Sequence, residues 1–220
     1  MNRTTLALSA AVAALGVVPF AAHAAKPPKP PKAPGNLTLA AATNPVNFGR
    51  SVTLSGKLTG PKNSGKPVSL LADPFPYNTF TKVTTATTSA TGDYSTTQKP
   101  SVNTRYKASQ GGNQSAIITV LVRPAVSLRL GDYTPKRGQS VRFSGRVCPQ
   151  HDGSSLSIQR RYSRGYRTIR KTALRDIPGS TCSSYRKTFR VFRDGRFRTV
   201  IGSHADHARG ISRSRVARVH

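Results

Sequence analysis

Two short stretches near the C-terminus hold most of the side chains able to grip a ligand. "QRRYSRGYRTIRK" places Arg160, Arg161, Arg164, Arg167, Arg170 and Lys171 around a hairpin turn expected at Arg164-Gly165. "YRKTFRVFRDGRFR" sets Arg186, Arg190, Arg193, Arg196 and Arg198 among Tyr185, Phe189, Phe192 and Phe197. Arginine presents a planar fork that binds phosphate or carboxylate through two hydrogen bonds and stacks on aromatic rings. Cations interleaved with aromatics can follow a phosphate backbone and stack on bases. No RRM, KH, helix-turn-helix or zinc-finger signature accompanies them, so base-specific readout is unsupported. The sharper of two readings is contact with a polyanion: teichoic acid, an acidic polysaccharide or extracellular nucleic acid. The blander one, which the sequence alone favours, is a solvated basic surface with no dedicated ligand. Phe189 and Phe197 fall where strands need inward residues, and Tyr162 and Tyr166 suit either account.

Other chemistry is sparse. All seven acidic residues are Asp, and they are scattered, which argues against paired-carboxylate hydrolysis and a calcium loop. No G-x-S-x-G elbow, H-E-x-x-H helix or phosphate loop occurs. In "HADH", His204 and Asp206 would share one face of a strand while His207 points to the other, a poor arrangement for a common metal ion. The sequence therefore predicts no catalytic residue, no metal and no cofactor. Its two cysteines, Cys148 and Cys182, predict one disulfide in an oxidising compartment.

The N-terminus supplies that compartment. Arg3, the apolar run from Leu6 to Phe20 and the small-x-small site Ala22-His23-Ala24 read as a secretory signal over residues 1–24. Residues 25–35, "AKPPKPPKAPG", read as a Pro/Lys-rich polyproline II spacer of about 3.1 Å per residue. The expected product is secreted or noncovalently attached to the cell envelope, without a membrane span.

What positions the arginines is a repeat. "GRSVTLSGKLTG" from Gly49 returns as "GQSVRFSGRVCP" from Gly138, "KPVSLLA" (66–72) as "SSLSIQR" (154–160), and "FTKVTTA" (80–86) as "YRTIRKT" (166–172). Then "TGDYSTT" (91–97) aligns with "DGRFRTV" (194–200), implying about 15 extra residues in the second copy and placing Cys182 inside them. The copies end alike at "SAIITVLV" (115–122) and "SRSRVARV" (212–219). Apolar residues alternate with polar ones: Val52, Leu54 and Leu58 in the first copy, Val141, Phe143 and Val147, then Leu156 and Ile158, in the second. Period two over short segments broken by Gly and Pro predicts half-buried antiparallel strands. The fold expected is all-β: two tandem antiparallel β-sandwich domains, 36–124 and 125–220.

The order "G.SV.FSG.V", a "V.L" strand, an aromatic followed by "..I..T", "DG.F" and a closing strand resembles the tandem bacterial Ig-like repeats of secreted and surface proteins of the high-GC Gram-positive type. The resemblance covers residues 36–220. It implies an Ig-like fold and a structural, adhesive or carbohydrate-associated role, usually without catalysis. The second copy departs from it in charge. Residues 36–124 carry 3 Arg and 6 Lys against 2 Asp, whereas 125–220 carry 19 Arg and 3 Lys against 5 Asp, net +7 and +17.

Overall fold

Alternating apolar and polar residues build strands with one buried side, and the computed structural model, which describes residues 36–220, consists of such strands and the loops between them, with no helix. The segments expected to be an export signal and a Pro/Lys spacer lie outside the described residues. The long strands of the first copy are β1 (Val52–Lys57), β2 (Pro67–Pro74), β3 (Thr81–Thr87), β4 (Asp93–Gln98) and β5 (Thr104–Gln110). The second copy repeats them as β6 (Gln139–Cys148), β7 (Ser155–Tyr162), β8 (Gly165–Ala173), β9 (Ser183–Val191) and β10 (Gly195–Ile201).

Each copy forms two antiparallel sheets. Ala40–Ala41, β1 and β4 make one sheet of the first copy; β3, β2 and β5 make the other, with Asn113–Gln114 and Ile118–Val120 against β5. In the second copy β9 and β6 join Ala125–Val126 and Arg129–Leu130, while β8, β7 and β10 join Gly210–Ile211 and Arg215–Ala217. This is the Ig-like sandwich twice over. Even the irregularities recur. The ladder slips between Leu70 and Leu71 where β2 meets β3, and between Ile158 and Gln159 where β7 meets β8.

The two cores are separate, one drawn from Leu37 to Val122 and the other from Leu128 to Ala217. Phe143 anchors the second: it stacks on Phe189 at 4.3 Å between ring centroids and meets Phe197 edge-on at 5.1 Å. Burying a side chain of this size stabilises by roughly 1.5–3 kcal/mol. Phe197 is buried and Phe189 half-buried against the same cluster, as the inward phase of their strands requires.

The repeated phrase encodes a specific contact. Gly56 faces Tyr94 across β1 and β4, and Gly145 faces Tyr185 across β6 and β9. The Tyr94 hydroxyl donates to the Thr38 carbonyl, and the Tyr185 hydroxyl donates to the Ser127 carbonyl at 2.7 Å. A Cβ at Gly56 would lie 2.0 Å from the Thr38 oxygen, and one at Gly145 2.1 Å from the Ser127 oxygen, so only glycine lets the strand pass. Around the same point Lys57 N and Arg146 N donate to the side-chain oxygens of Thr38 and Ser127. Burial pushes the Tyr94 phenol up to about 12 and that of Tyr185 up as well, keeping both hydroxyls protonated as donors.

Three sequence expectations change. First, Tyr94 on β4 corresponds to Tyr185 on β9, whereas "DGRFRTV" lies at β10 and corresponds to β5. The two segments look alike because a Gly-x-aromatic-x-Thr pattern starts either strand. The second copy therefore gains no 15-residue insertion; a modest lengthening of 174–182 precedes β9. The Cys148–Cys182 disulfide forms there, with the cysteines 34 positions apart, joining the end of β6 to the residue before β9. In the chain-entropy picture that loop stabilises by roughly 3–4 kcal/mol.

Second, further extra residues enter after β10. Ser115 Oγ accepts from Ala108 N at 2.9 Å, and Ser212 Oγ accepts from Thr199 N at 2.9 Å, so these positions are equivalent and the chain between them is longer in the second copy. Third, residues 202–209 within this loop are not a strand, and His207 does not face away from its neighbour. Its Nδ1 lies 2.9 Å from Asp206 Oδ2, and the imidazole is buried.

Candidate anion-binding surface

The hairpin of β7 and β8 turns through Ser163 and Arg164, one residue earlier than the sequence suggests, because Tyr162 already pairs with Gly165. Strand alternation then divides the arginines between two faces. Arg161 lies opposite Tyr166, and Gln159 lies opposite Thr168 on one side and Arg198 on the other. Arg198 sits 3.8 Å above the Tyr166 ring centroid and Arg161 5.6 Å from it. Arg198 Nε donates to Gln159 Oε1 at 2.9 Å, which fixes the guanidinium over the ring and leaves its far edge free. Burial, with the charges of Arg209 and Arg161 nearby, pulls its pKa down against the opposing effect of Tyr166. An anion arriving there would relieve that crowding of like charge.

The opposite face holds Arg160, Arg167 and Arg170. Arg160 and Arg167 flank Tyr162 at 5.5 and 5.8 Å, and Arg170 lies 5.6 Å from the Phe189 ring centroid. Arg160 Nη2 donates to the Asp194 carbonyl at 2.6 Å. Arg160 and Arg170, with Arg190, Arg193 and the exposed Phe192, border a cleft of about 390 Å³. Lys171 and Arg196 are exposed on the sheet of β7, β8 and β10, and Arg164 caps the hairpin.

Arg186 belongs elsewhere. It lines a broad groove on the sheet of β6 and β9, with Arg129, Arg146, Arg175 and Lys187, and with Asp176 as the acid of that groove. Sequence reasoning missed those four cations. For Arg146 the signal was the outward phase of β6, where it alternates with Val147; Lys187 shares the phase of the buried Tyr185, and Arg175 lies outside the strands. The eleven cationic residues singled out from the sequence thus occupy three surfaces. Nine are exposed, while Arg160 and Arg198 are half-buried.

Carboxylates do not neutralise these surfaces. Among the described residues the acid–base pairs are Lys57 with Asp93, Arg105 with Asp73, and His207 with Asp206; none includes an arginine of 125–220. The second copy spends its acids on loops. Asp132 accepts from Thr134 N, Asp152 from the Ser183 hydroxyl, and Asp194 from Val219 N.

No protein-family model matches the chain, and no curated protein matches it. Solved structures do. One is the crystal structure of a tetra-tandem repeat in the extending region of a large adhesion protein, 19% identical with a TM-score of 0.35, covering 83% of this chain and 49% of that one. Another is the D0-D1 domain of intimin, 10% identical with a TM-score of 0.31, covering 83% of this chain and 97% of that one. The chain spans about half the length of the adhesion-protein structure.

Proposed function

We propose that this is an exported, non-catalytic protein of two Ig-like sandwiches, structural or adhesive in role, whose second sandwich holds a linear anionic polymer. The observation that carries the reading is the absence, among the described residues, of any carboxylate paired with an arginine of 125–220, in a copy whose net charge is +17. Folding a small core under that charge costs self-repulsion, which a solvated surface would have no reason to keep. Phosphates or carboxylates along a polymer relieve it, and the stacked Arg198–Tyr166 pair offers a fixed guanidinium edge to the first of them. The N-terminal sequence supports export, and no described helix is long and apolar enough to cross a membrane.

Retention of the full chain on immobilised teichoic acid, DNA and an uncharged polysaccharide, across a salt series, tests this. Binding to the two anionic polymers should weaken steeply with salt, each phosphate contact adding about 0.7–0.9 to the log–log slope. Replacing Arg161, Arg198 and Arg186 together with Ser should flatten that slope, whereas replacing Lys62, Lys82 and Lys99 of the first copy should leave it nearly unchanged. Equal effects of the two triple variants would overturn the assignment to the second sandwich.

A further inference from the structure

The lengthened loop after β10 brings together a second set of functional side chains, unrelated to the arginines. His151, Asp206 and His207 each offer one ligand atom, and these atoms lie within 4.8 Å of one another. We propose that these three residues bind a divalent transition-metal ion of the zinc class, fastening loop 202–209 in place.

The hydrogen bonds of the two imidazoles argue for this. His151 Nδ1 lies 2.8 Å from the Pro149 carbonyl, and His207 Nε2 lies 2.8 Å from the Ser101 carbonyl. A carbonyl only accepts, so each of these nitrogens carries the proton. In the neutral rings the opposite nitrogens, His151 Nε2 and His207 Nδ1, then present lone pairs. Both are buried; His151 Nε2 has no hydrogen-bond partner, and His207 Nδ1 meets only the Asp206 carboxylate. Their rings are 9% and 1% exposed, so water is not a ready substitute. An imidazole whose outer N–H is held by a backbone carbonyl while its inner lone pair faces a carboxylate has the second-shell support of a metal ligand.

A proton shared by His207 and Asp206 would satisfy one of the two lone pairs and leave His151 Nε2 orphaned. A cation satisfies both nitrogens and the Asp206 carboxylate at once. The spacing suits an ion of small radius: His207 Nδ1 and Asp206 Oδ2 are 2.9 Å apart. Two ligands about 2.0–2.1 Å from a tetrahedral ion stand roughly 3.3 Å apart. Two imidazoles and one carboxylate select zinc, copper or nickel over calcium and magnesium, which require mostly oxygen. His204, exposed and with its ring centroid 5.2 Å from that of His151, or a water would complete the coordination.

The site joins both copies. His151 follows β6, Asp206 and His207 follow β10, and the orienting carbonyl of Ser101 belongs to the first copy. The same loop is already tied there: Asn103 N donates to the Asp206 carbonyl at 2.8 Å, Asn103 Nδ2 to the Ala205 carbonyl at 3.1 Å, and Ala208 N to the Val122 carbonyl at 2.8 Å. Metal at this point would lock the junction.

Calorimetric titration of the untagged full chain with zinc chloride, and optical titration with cobalt(II), are the tests. One equivalent should bind, the cobalt complex should show ligand-field absorption, and zinc should raise the melting temperature relative to chelator. His151→Gln and Asp206→Asn should each weaken zinc by about tenfold or more, while His220→Gln should not change it. The two variants lie on different loops, so either one that folds in chelator suffices. Failure of the unaltered chain to take up zinc, undiminished uptake by a folded variant, or equal affinity for calcium would each overturn the site.

Discussion

The same strand pair, met twice in one chain, carries opposite electrostatics. On β2 and β5 of the first sandwich, Asp73 lies opposite Arg105, and the guanidinium closes on a carboxylate that is 2% exposed. Stepping one pair beyond Arg160–Phe197 on β7 and β10, the equivalent positions of the second sandwich are Arg161 and Arg196. The first sandwich's other acid fares likewise: Asp93, on β4 opposite Lys57, gives way to Ser184 on β9 opposite Arg146. Both acids of the first copy thus neutralise a cation, and both counterparts are lost in the second. Core and topology were held fixed while these charge pairs changed, so the difference concerns the electrostatics rather than the fold. An ion pair in the first copy is replaced in the second by two cations with no paired carboxylate.

The Gly–Tyr contact is the feature the copies share most closely, and breaking it should have the largest effect. Gly56→Ala and Gly145→Ala each drive a methyl into a backbone carbonyl, which should destabilise the affected sandwich by about 3 kcal/mol or more. Denaturant unfolding, read by tyrosine fluorescence and hydrogen exchange, should show protection lost first around β1 and β4 for Gly56→Ala, and around β6 and β9 for Gly145→Ala. Unchanged midpoints would mean that the strands part easily. The next effect separates the copies. Reducing the Cys148–Cys182 disulfide should lower the stability of the second sandwich by roughly 3 kcal/mol and leave the first nearly untouched. The loss should grow at low ionic strength, where repulsion among the arginines is least screened. Identical losses in low and high salt would detach the bridge from the charge.

How much of this was legible beforehand depends on the range of the interaction. Alternation at Val141, Phe143 and Val147 is local, so the strands and their buried faces could be read directly. The disulfide was legible because two cysteines allow a single intrachain pairing. The alignment failed at "TGDYSTT" because a turn glycine before an aromatic is common to β4 and β10 and carries little information. Structure resolved it through the tyrosine contact with a carbonyl 56 residues away, which no local pattern reports. His151 was invisible for a similar reason. It stands 56 positions before His207 in sequence, yet their ring centroids are 4.9 Å apart.

Charge exchange at the facing pair sharpens the comparison at a smaller scale. Arg161→Asp recreates in the second sandwich the pairing that Asp73 makes with Arg105. The new carboxylate should engage Arg196 and remove two cations from the polymer contact, lowering the log–log salt slope for an anionic polymer by about 1.4–1.8. Arg161→Ser should lower it by about half as much. Equal slopes for the two variants would show that Arg196 takes no part.

The smallest effect tests whether the shared tyrosines are energetically equal. The Tyr94 hydroxyl has one partner, the Thr38 carbonyl, whereas the Tyr185 hydroxyl also meets Thr199 Oγ1 at 3.1 Å. Thr199 is fully buried and occupies the position of Ala108 in the first copy. Tyr94→Phe should therefore cost about 1 kcal/mol, the value of one neutral hydrogen bond. Tyr185→Phe should cost about 1 kcal/mol more, because it strands the threonine hydroxyl as well as the Ser127 carbonyl. In a Thr199→Ala background, which copies the first sandwich, the cost of Tyr185→Phe should fall to that of Tyr94→Phe. A double-mutant cycle measured by urea unfolding reads this directly. A coupling energy near zero between Tyr185 and Thr199 would show that the threonine is satisfied elsewhere and that the two tyrosines do the same work.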